Sequence, residues 1–126
     1  MNANRANVLL SHGDTAGADR CLREALDQIE ELIRGQPDDY VLLADRARLW
    51  FNLGVACLKA KRNEQARTAL LEATRLGPKD AEAWHMLGLA YAVEGRRSDV
   101  IRVYEILKTI SPGKAEYFFR SVVLLQ

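Results

Sequence analysis

The 126-residue sequence has little of what marks several large classes of protein. Its two cysteines do not make a disulfide framework, and its three prolines and eight glycines are too few for a long disordered linker. The formal net charge is only +1, so no bulk charge points to nucleic acid or to an anionic membrane. We therefore expect one folded domain in which Cys21 and Cys57 stay reduced and pack as small hydrophobic side chains.

Long apolar runs are also missing. Near the N-terminus only Val8–Leu10 is continuously apolar, which is far shorter than the hydrophobic part of a signal peptide. The apolar tail at 117–125 has about nine residues, whereas a membrane-spanning helix needs about 20. The sequence therefore predicts a cytoplasmic protein without membrane insertion.

No group of residues suggests catalysis. His12 and His85 are the only histidines, and neither has a second histidine or a cysteine at metal-ligand spacing. The glycines do not cluster into a loop that could hold a phosphate, and no serine or cysteine is paired with a histidine in a recognised motif. The sequence predicts that the protein is not an enzyme and binds no metal or cofactor.

Residues 47–114 contain the most informative pattern, because one set of residues occurs twice at an offset of 34. The first copy consists of Trp50, Leu53, Gly54, Cys57, Ala66, Leu70, Ala73 and Pro78, and the second of Trp84, Leu87, Gly88, Tyr91, Val100, Tyr104, Leu107 and Pro112. A 34-residue period with tryptophan, leucine-glycine and proline at these positions is typical of the tetratricopeptide repeat, a unit of two helices joined by a turn. The chain therefore resembles the tetratricopeptide-repeat family over its second half.

The resemblance implies an all-α fold, a right-handed superhelical stack of antiparallel helix pairs known as a solenoid. About three helical hairpins and a C-terminal helix are expected. The expected segments are a degenerate first repeat at 1–37, a second repeat at 38–80, a third repeat at 81–114, and a C-terminal helix for capping or interaction at 115–126.

The first hairpin departs from the repeat pattern by 14 additional residues. In the repeat register its terminal proline should be residue 30, but it is Pro37, and the next apolar stripe continues unbroken from Tyr40 to Cys57. Seven of the added residues lengthen the second helix of the first repeat, and seven lengthen the first helix of the next repeat. Because seven residues are about two helical turns, or roughly 10 Å, both helices keep the same apolar face.

Turn and capping residues predict where the helices begin and end. Gly13 is expected to end a first helix at Asn2–Ser11, since glycine is common just past a helix C-terminus. The expected N-cap residues of later helices are Asp14 or Thr15, Asp38 or Asp39, Asp80 and Ser98.

Two residue types are expected to set how the repeats pack. Trp50 and Trp84 are large rings expected in the core between neighbouring repeats. Gly54 and Gly88 are expected where the partner helix crosses closely, because a side chain there would keep the two helices apart.

In tetratricopeptide-repeat proteins the first helix of each repeat lines a concave groove. Ligand contacts tend to come from the second, fifth, ninth, twelfth and thirteenth residues of the repeat. The resemblance thus implies a groove formed by Arg48, Phe51, Asn52, Val55, Leu58, Lys59, His85, Leu89 and Ala92, and the matching positions also include Glu82 and Val93.

This set is mostly apolar, which bears on the kind of ligand. The subfamily that grips chaperone C-termini with a carboxylate clamp needs lysine, asparagine and arginine at such places. Asn52 is at one of these positions, but Val55, Met86 and Leu89 at neighbouring ones argue against a clamp. An apolar groove suits an amphipathic helix or an extended peptide with hydrophobic anchors. The alternative is that the first helix, the elongated hairpin or the tail of a second copy covers the groove.

The C-terminal helix is apolar around too much of its circumference for a surface cap. The residues concerned are Tyr117, Phe118, Phe119, Val122 and Val123, followed by Leu124 and Leu125. An exposed patch of this kind normally marks an interaction site. We therefore expect self-association through the tail, for example as a homodimer.

Taken together, the sequence predicts a non-catalytic protein-interaction module: an adaptor, co-chaperone or assembly factor that binds a protein or peptide partner in the groove. The alternative is a structural homo-oligomer assembled through the C-terminal helix or the elongated hairpin. An RNA-binding helical repeat of the pentatricopeptide type ranks last, because its 35-residue period and basic groove are absent. No nucleic-acid partner is expected.

Overall fold

The computed structural model of the chain describes residues 2–125, including the side chains of this range except those of residues 2–4, 7 and 125. Its helices are α1 (Asn2–Ser11), α2 (Thr15–Gly35), α3 (Tyr40–Lys59), α4 (Asn63–Leu76), α5 (Ala81–Val93), α6 (Arg97–Ile110) and α7 (Pro112–Ser121), and a 3-10 turn (Val123–Leu125) follows. No strand occurs among these described residues, and the predicted all-α fold is confirmed.

The helices form two layers. Each helix packs against the next one along the chain, and short connections join them, as expected for antiparallel neighbours. In addition α1 contacts α3, α3 contacts α5, and α5 contacts α7, whereas α2, α4 and α6 make no contact with one another in the described range. We call α1, α3, α5 and α7 the inner layer and α2, α4 and α6 the outer layer. Because the inner helices lie closer together, the stack curves toward them.

The three inner helices α1, α3 and α5 end in the same way. The residue two positions past each helix has a positive φ: 81° at Gly13, 61° at Lys61 and 73° at Gly95. Each end is closed by two backbone hydrogen bonds from an amide to a carbonyl. After α1 the amides of Asp14 and Gly13 donate to Leu9 and Leu10, at 2.8 and 3.0 Å. The same pairs are Arg62 to Cys57 and Lys61 to Leu58 after α3, at 2.8 and 3.0 Å, and Arg96 to Tyr91 and Gly95 to Ala92 after α5, at 2.9 and 3.0 Å. This is the Schellman motif, which satisfies the free carbonyls at a helix end.

A proline lies two positions after the last residue of each outer helix. The C-cap residues Gln36, Gly77 and Ser111 directly precede Pro37, Pro78 and Pro112, and a residue before proline is disfavoured in the helical conformation. The helices therefore stop at corresponding places, and Pro112 also becomes the first residue of α7.

Three of the four predicted N-cap positions carry a capping side chain. The carboxylates of Asp39 and Asp80 accept bonds from the amides at the starts of α3 and α5, at 2.9 and 3.1 Å for the shorter bond of each pair. Asp14 does the same for Gly17 at 2.8 Å. The prediction for Ser98 was wrong: α6 begins at Arg97, its N-cap is Arg96, and no side chain caps it.

The hairpin formed by α2 and α3 is longer than the hairpin formed by α4 and α5. These helices have 21 and 20 residues, whereas α4 and α5 have 14 and 13. The lengths agree with seven added residues in each helix. The division of the chain into repeats at residues 37, 80 and 114 stays a prediction.

The interior consists of two hydrophobic clusters. The first joins α1 to α4 and contains Leu22, Ile29, Leu49 and Leu53 as well as both cysteines, which are free thiols. The second joins α3 to the C-terminal turn and contains Leu70, Leu87, Val100, Leu107 and Phe118. Trp50 and Leu58 contact both clusters, so the core is continuous through α3.

The core-packing roles expected of the two tryptophans were only partly right. Trp50 and Trp84 contact the core, but each is only half-buried. The indole N–H of Trp84 donates a hydrogen bond to the carbonyl of Pro78 at 2.8 Å. The fully buried aromatic residue is instead Phe118. The ring that completes the second cluster therefore comes from α7.

Candidate functional site

The concave face is the surface of the inner layer that is turned away from the outer layer. On α3 and α5 it carries the half-buried apolar side chains of Val55, Leu58, Leu89 and Ala92. Val55, Leu89 and Ala92 pack on the second cluster with one side, and Leu58 bridges the two clusters. Their other sides stay partly accessible. That this row binds a partner stays a prediction.

The α5 part of this row is not covered by α1 or α2. Neither of these helices contacts α5 among the described residues. The first helix and the outer helix of the elongated hairpin therefore do not lie across Leu89 and Ala92.

Phe51 was expected to line the accessible groove, but it does not. Its side chain is buried in the second cluster with 6% of its surface exposed. The guanidinium carbon of Arg48 lies 5.1 Å from the centre of the Phe51 ring, within range of a cation–π contact. Arg48 and Lys59 are exposed at the two ends of this segment, and Asn52 is half-buried.

An aromatic hollow lies where α5 meets α7. The rings of His85 and Tyr117 are stacked with their centres 5.8 Å apart, and His85 meets the edge of Phe118 at 5.5 Å. A hollow of about 270 Å³ is lined by His85, Tyr117, Gly113 and the charged residues Glu82 and Lys114. The predicted groove residue His85 is therefore one wall of a small pocket.

The environment of His85 favours the neutral form of its imidazole. Partial burial is the largest cause that lowers the pKa of His85, and the positive charge of Lys114 lowers it further, while Glu82 opposes the shift. A neutral ring can accept or donate one hydrogen bond and stack on an aromatic group without a charge to desolvate. The pocket is thus mainly aromatic, with one cation and one anion beside it.

The predicted self-association residues separate into two groups. Phe118, Val122 and Val123 are buried within the second cluster and cannot contact a second copy unless that cluster opens, which corrects the expectation for these three. Phe119 is half-buried against Tyr104, with ring centres 5.1 Å apart. Tyr117, with 64% of its surface exposed, is the accessible member.

The repeat offset was the signal that could have placed α7. Phe118 follows Trp84 by 34 residues and Ala115 follows Ala81 by the same number. Both Phe118 and Ala115 are buried. The C-terminal helix therefore continues the inner layer instead of presenting its apolar side to solvent.

Metal binding and membrane insertion would need other structural features. Among the described residues, no group of three or more histidine, cysteine, aspartate or glutamate side chains is placed to hold a metal ion. Within the same range, none of the helices combines the length and the apolar character needed to cross a membrane.

Comparisons with known proteins agree with this architecture. The family model for the tetratricopeptide repeat matches residues 4–80 and 58–115. The chain therefore belongs to the tetratricopeptide-repeat family, and as a member it is a protein–protein interaction module. No curated protein matches it. Among solved structures, the crystal structure of MamA is similar in fold, with a TM-score of 0.53, 20% sequence identity, and coverage of 91% of this chain and 82% of that chain.

Proposed function

We propose that the chain binds an amphipathic helix or an extended peptide of a partner protein on the concave face of α3, α5 and α7. The observation that supports this most is the partly accessible row of Val55, Leu58, Leu89 and Ala92. Their half-buried side chains are held in place by the core, and a partner that covers them would gain roughly 25 cal/mol for each Å² of apolar surface removed from water. An adaptor or assembly role follows from such binding.

The pocket at His85 and Tyr117 is the proposed anchor point. At about 270 Å³ it is smaller than the 300–1,000 Å³ that is usual for small-molecule sites. This size suits one side chain of a peptide. Two stacked rings favour an aromatic or long aliphatic anchor, and Lys114 and Glu82 can pair with the polar groups on either side of it.

A carboxylate clamp remains disfavoured by the same geometry. Such a clamp needs several cations or amides around one carboxylate. Here Val55 and Leu89 are apolar, and partial burial and Lys114 lower the pKa of His85, which disfavours its cationic form. Affinity is therefore expected to come from apolar anchors, with little change when the peptide's C-terminal carboxylate is amidated.

The test uses peptides selected from a random displayed library against the purified chain. Their affinities are then measured by fluorescence anisotropy for the wild type, for Leu89→Glu on the concave face, and for Ile101→Glu on α6. Ile101 is an exposed apolar residue of the outer layer, with 39% of its surface accessible, so it matches the chemical change at a different place.

The proposal predicts that Leu89→Glu weakens binding at least about tenfold, or roughly 1.4 kcal/mol, while Ile101→Glu leaves it unchanged. Circular dichroism melts show that each variant is folded. If the selected peptides bind Leu89→Glu as tightly as the wild type, the concave face is not the binding surface.

Self-association is kept as the alternative use of the inner layer. Tyr117 is the exposed residue at the open side of α7 and lies beside the proposed anchor pocket. Sedimentation velocity at micromolar concentration would show a dimer that Tyr117→Glu dissociates. A monomer at all concentrations would remove this alternative and leave the peptide-binding proposal as it stands.

A further inference from the structure

A second groove lies on the opposite side of the molecule, between the outer helices α2 and α4. Since these two helices do not contact each other in the described range, the side chain of Trp50 from the inner layer reaches the gap between them. One hollow of about 470 Å³ is lined by Trp50, Arg23 and the α4 residues Glu64 and Thr68, among others.

A neighbouring hollow extends this gap along α2. It has about 330 Å³, shares Trp50 and Arg23 with the first hollow, and adds Leu26, Asp27 and Glu30. We call the two hollows together the α2–α4 groove. From Arg23 to Glu30 it follows seven helical residues, or about 10 Å.

The elongated hairpin explains why Trp50 is available there. Trp84, its counterpart 34 residues later, donates its indole N–H to the carbonyl of Pro78 in the turn before α5. The residue corresponding to Pro78 is Ala44, which lies inside the lengthened helix α3. There the carbonyl belongs to the helical ladder, and the Trp50 indole has no acceptor in the described part of the chain.

The lining of the groove carries more negative than positive charge. Asp27, Glu30 and Glu64 line it together with one cation, Arg23. Among the described residues Asp27 and Glu64 form no salt bridge, and Glu30 has Arg46 at 3.5 Å. Arg23 pairs with Asp19 at 2.8 Å, and Arg62 contacts the same carboxylate at 2.7 Å. An excess of carboxylates thus surrounds an apolar floor.

We propose that the α2–α4 groove binds a basic amphipathic helix of a partner protein. Apolar side chains of such a helix would lie on Trp50 and Leu26, and its lysine or arginine residues would face Asp27, Glu30 and Glu64. A cation placed over the Trp50 ring adds a cation–π contact. The length of the groove suits about two turns of a helix. This surface is separate from the concave face, so the chain would hold two protein segments at once.

The test follows Trp50 by fluorescence in a Trp84→Phe chain, which leaves a single tryptophan. The probe is a synthetic helical peptide of about 14 residues, with leucine at one face and lysine elsewhere. Its matched control carries glutamate in place of every lysine. The lysine peptide is expected to shift the Trp50 emission and to bind more weakly as salt is added, whereas the glutamate peptide has no effect.

Charge reversal locates the site. The double variant Asp27→Lys, Glu64→Lys is expected to lower the affinity for the lysine peptide at least about tenfold, because the two new lysines repel those of the peptide. Glu116→Lys, an exposed residue of α7, is the control with the same change elsewhere and is expected to keep at least half of the affinity. All the positions changed are surface carboxylates, so thermal melts should stay close to that of the parent chain.

Four results would overturn the inference. The first is equal binding of the lysine and glutamate peptides, and the second is an equal loss of affinity in Glu116→Lys and in the double variant. The third is loss of lysine-peptide binding in Leu89→Glu, which would place the peptide on the concave face. The fourth is a dimer, seen by sedimentation, that the double variant dissociates, since the occupant would then be a second copy. None of these results bears on the library peptides that test the proposed function. If those peptides do not bind the concave face, the expected binding of the lysine peptide to the α2–α4 groove is unchanged.

Discussion

The ring of Phe118 occupies the space left by the absent side chain of Gly88. A Cβ atom built at Gly88 would lie 2.3 Å from Cζ and 2.4 Å from Cε1 of that ring, far inside van der Waals contact. The equivalent residue 34 positions earlier is Gly54. There the side chain of Leu70 from α4 fills the space, and a Cβ atom built at Gly54 would lie 2.4 Å from Cγ of Leu70. The glycine of the last hairpin therefore fixes α7, and with it the aromatic pocket at His85.

Gly88→Ala is expected to destabilise the protein by about 1–3 kcal/mol, as overpacking of a core usually does. Phe118→Leu removes the ring that the new methyl group meets, so the double variant should be less destabilised than the sum of the single changes. Urea unfolding measures all three. Gly113→Ala is the matched control, since a Cβ there meets nothing within 4 Å, and it should not destabilise. Additive effects of Gly88→Ala and Phe118→Leu would contradict the packing described.

Lys61→Gly is expected to stabilise the protein by about 0.5–1 kcal/mol. Lys61 has a φ of 61° where the equivalent turns have Gly13 and Gly95, and a left-handed conformation costs a non-glycine residue roughly 1–2 kcal/mol, partly offset by the chain entropy of glycine. Gly95→Ala makes the opposite change where a Cβ has open space, and it should destabilise. A lower melting temperature for Lys61→Gly would show that the lysine side chain makes a compensating contact.

Stability should fall on mild acidification partly through His85. Its pKa is below the ordinary value of 6.5 because of burial first and Lys114 second. The unfolded chain therefore binds the proton more readily, and the free energy of unfolding declines as the pH falls below about 6.5. His85→Phe keeps a ring in the pocket without a titrating group. Its melting temperature should fall less between about pH 7.5 and 5.5; an equal decline would exclude His85 as the cause.

Both cysteines should be unreactive in the native protein. Cys57 has 1% of its surface exposed and Cys21 has 6%, and burial, followed by the nearby Asp19, raises the pKa of the Cys57 thiol. Only the thiolate reacts with a disulfide reagent. Labelling with a chromogenic disulfide should thus be slow in buffer and fast in denaturant, with Cys21→Ala separating the two sites. Rapid native labelling of either thiol would indicate an opening of the first cluster.

Much of the fold followed from the sequence because the repeat is local. The turns at Gly13 and Gly95 and the caps at Asp39 and Asp80 depend on residues within a few positions of each other. Ser98 failed as a cap because the preceding turn, set by Gly95, already starts α6 at Arg97.

The site was harder to predict, because exposure depends on which helices touch. Periodicity indicated that Phe51 and Phe118 lie on apolar faces of their helices. Only the packed structure shows that Arg48 lies over the Phe51 ring and that the Phe118 ring packs against Gly88 of α5. The α2–α4 groove was missed for the same reason. Its acidic residues are visible in the sequence, whereas the gap between two helices distant along the chain is not.

The most direct test of the proposed function is a nuclear magnetic resonance titration of the labelled chain with a library-selected peptide. Binding on the concave face predicts the largest shifts at Val55, Leu58, Leu89 and Ala92 and at the ring of His85. The amides of α4 and α6 should change little. Shifts concentrated on α4 and α6, with the α3 and α5 signals unchanged, would contradict the assignment of the concave face as the binding surface.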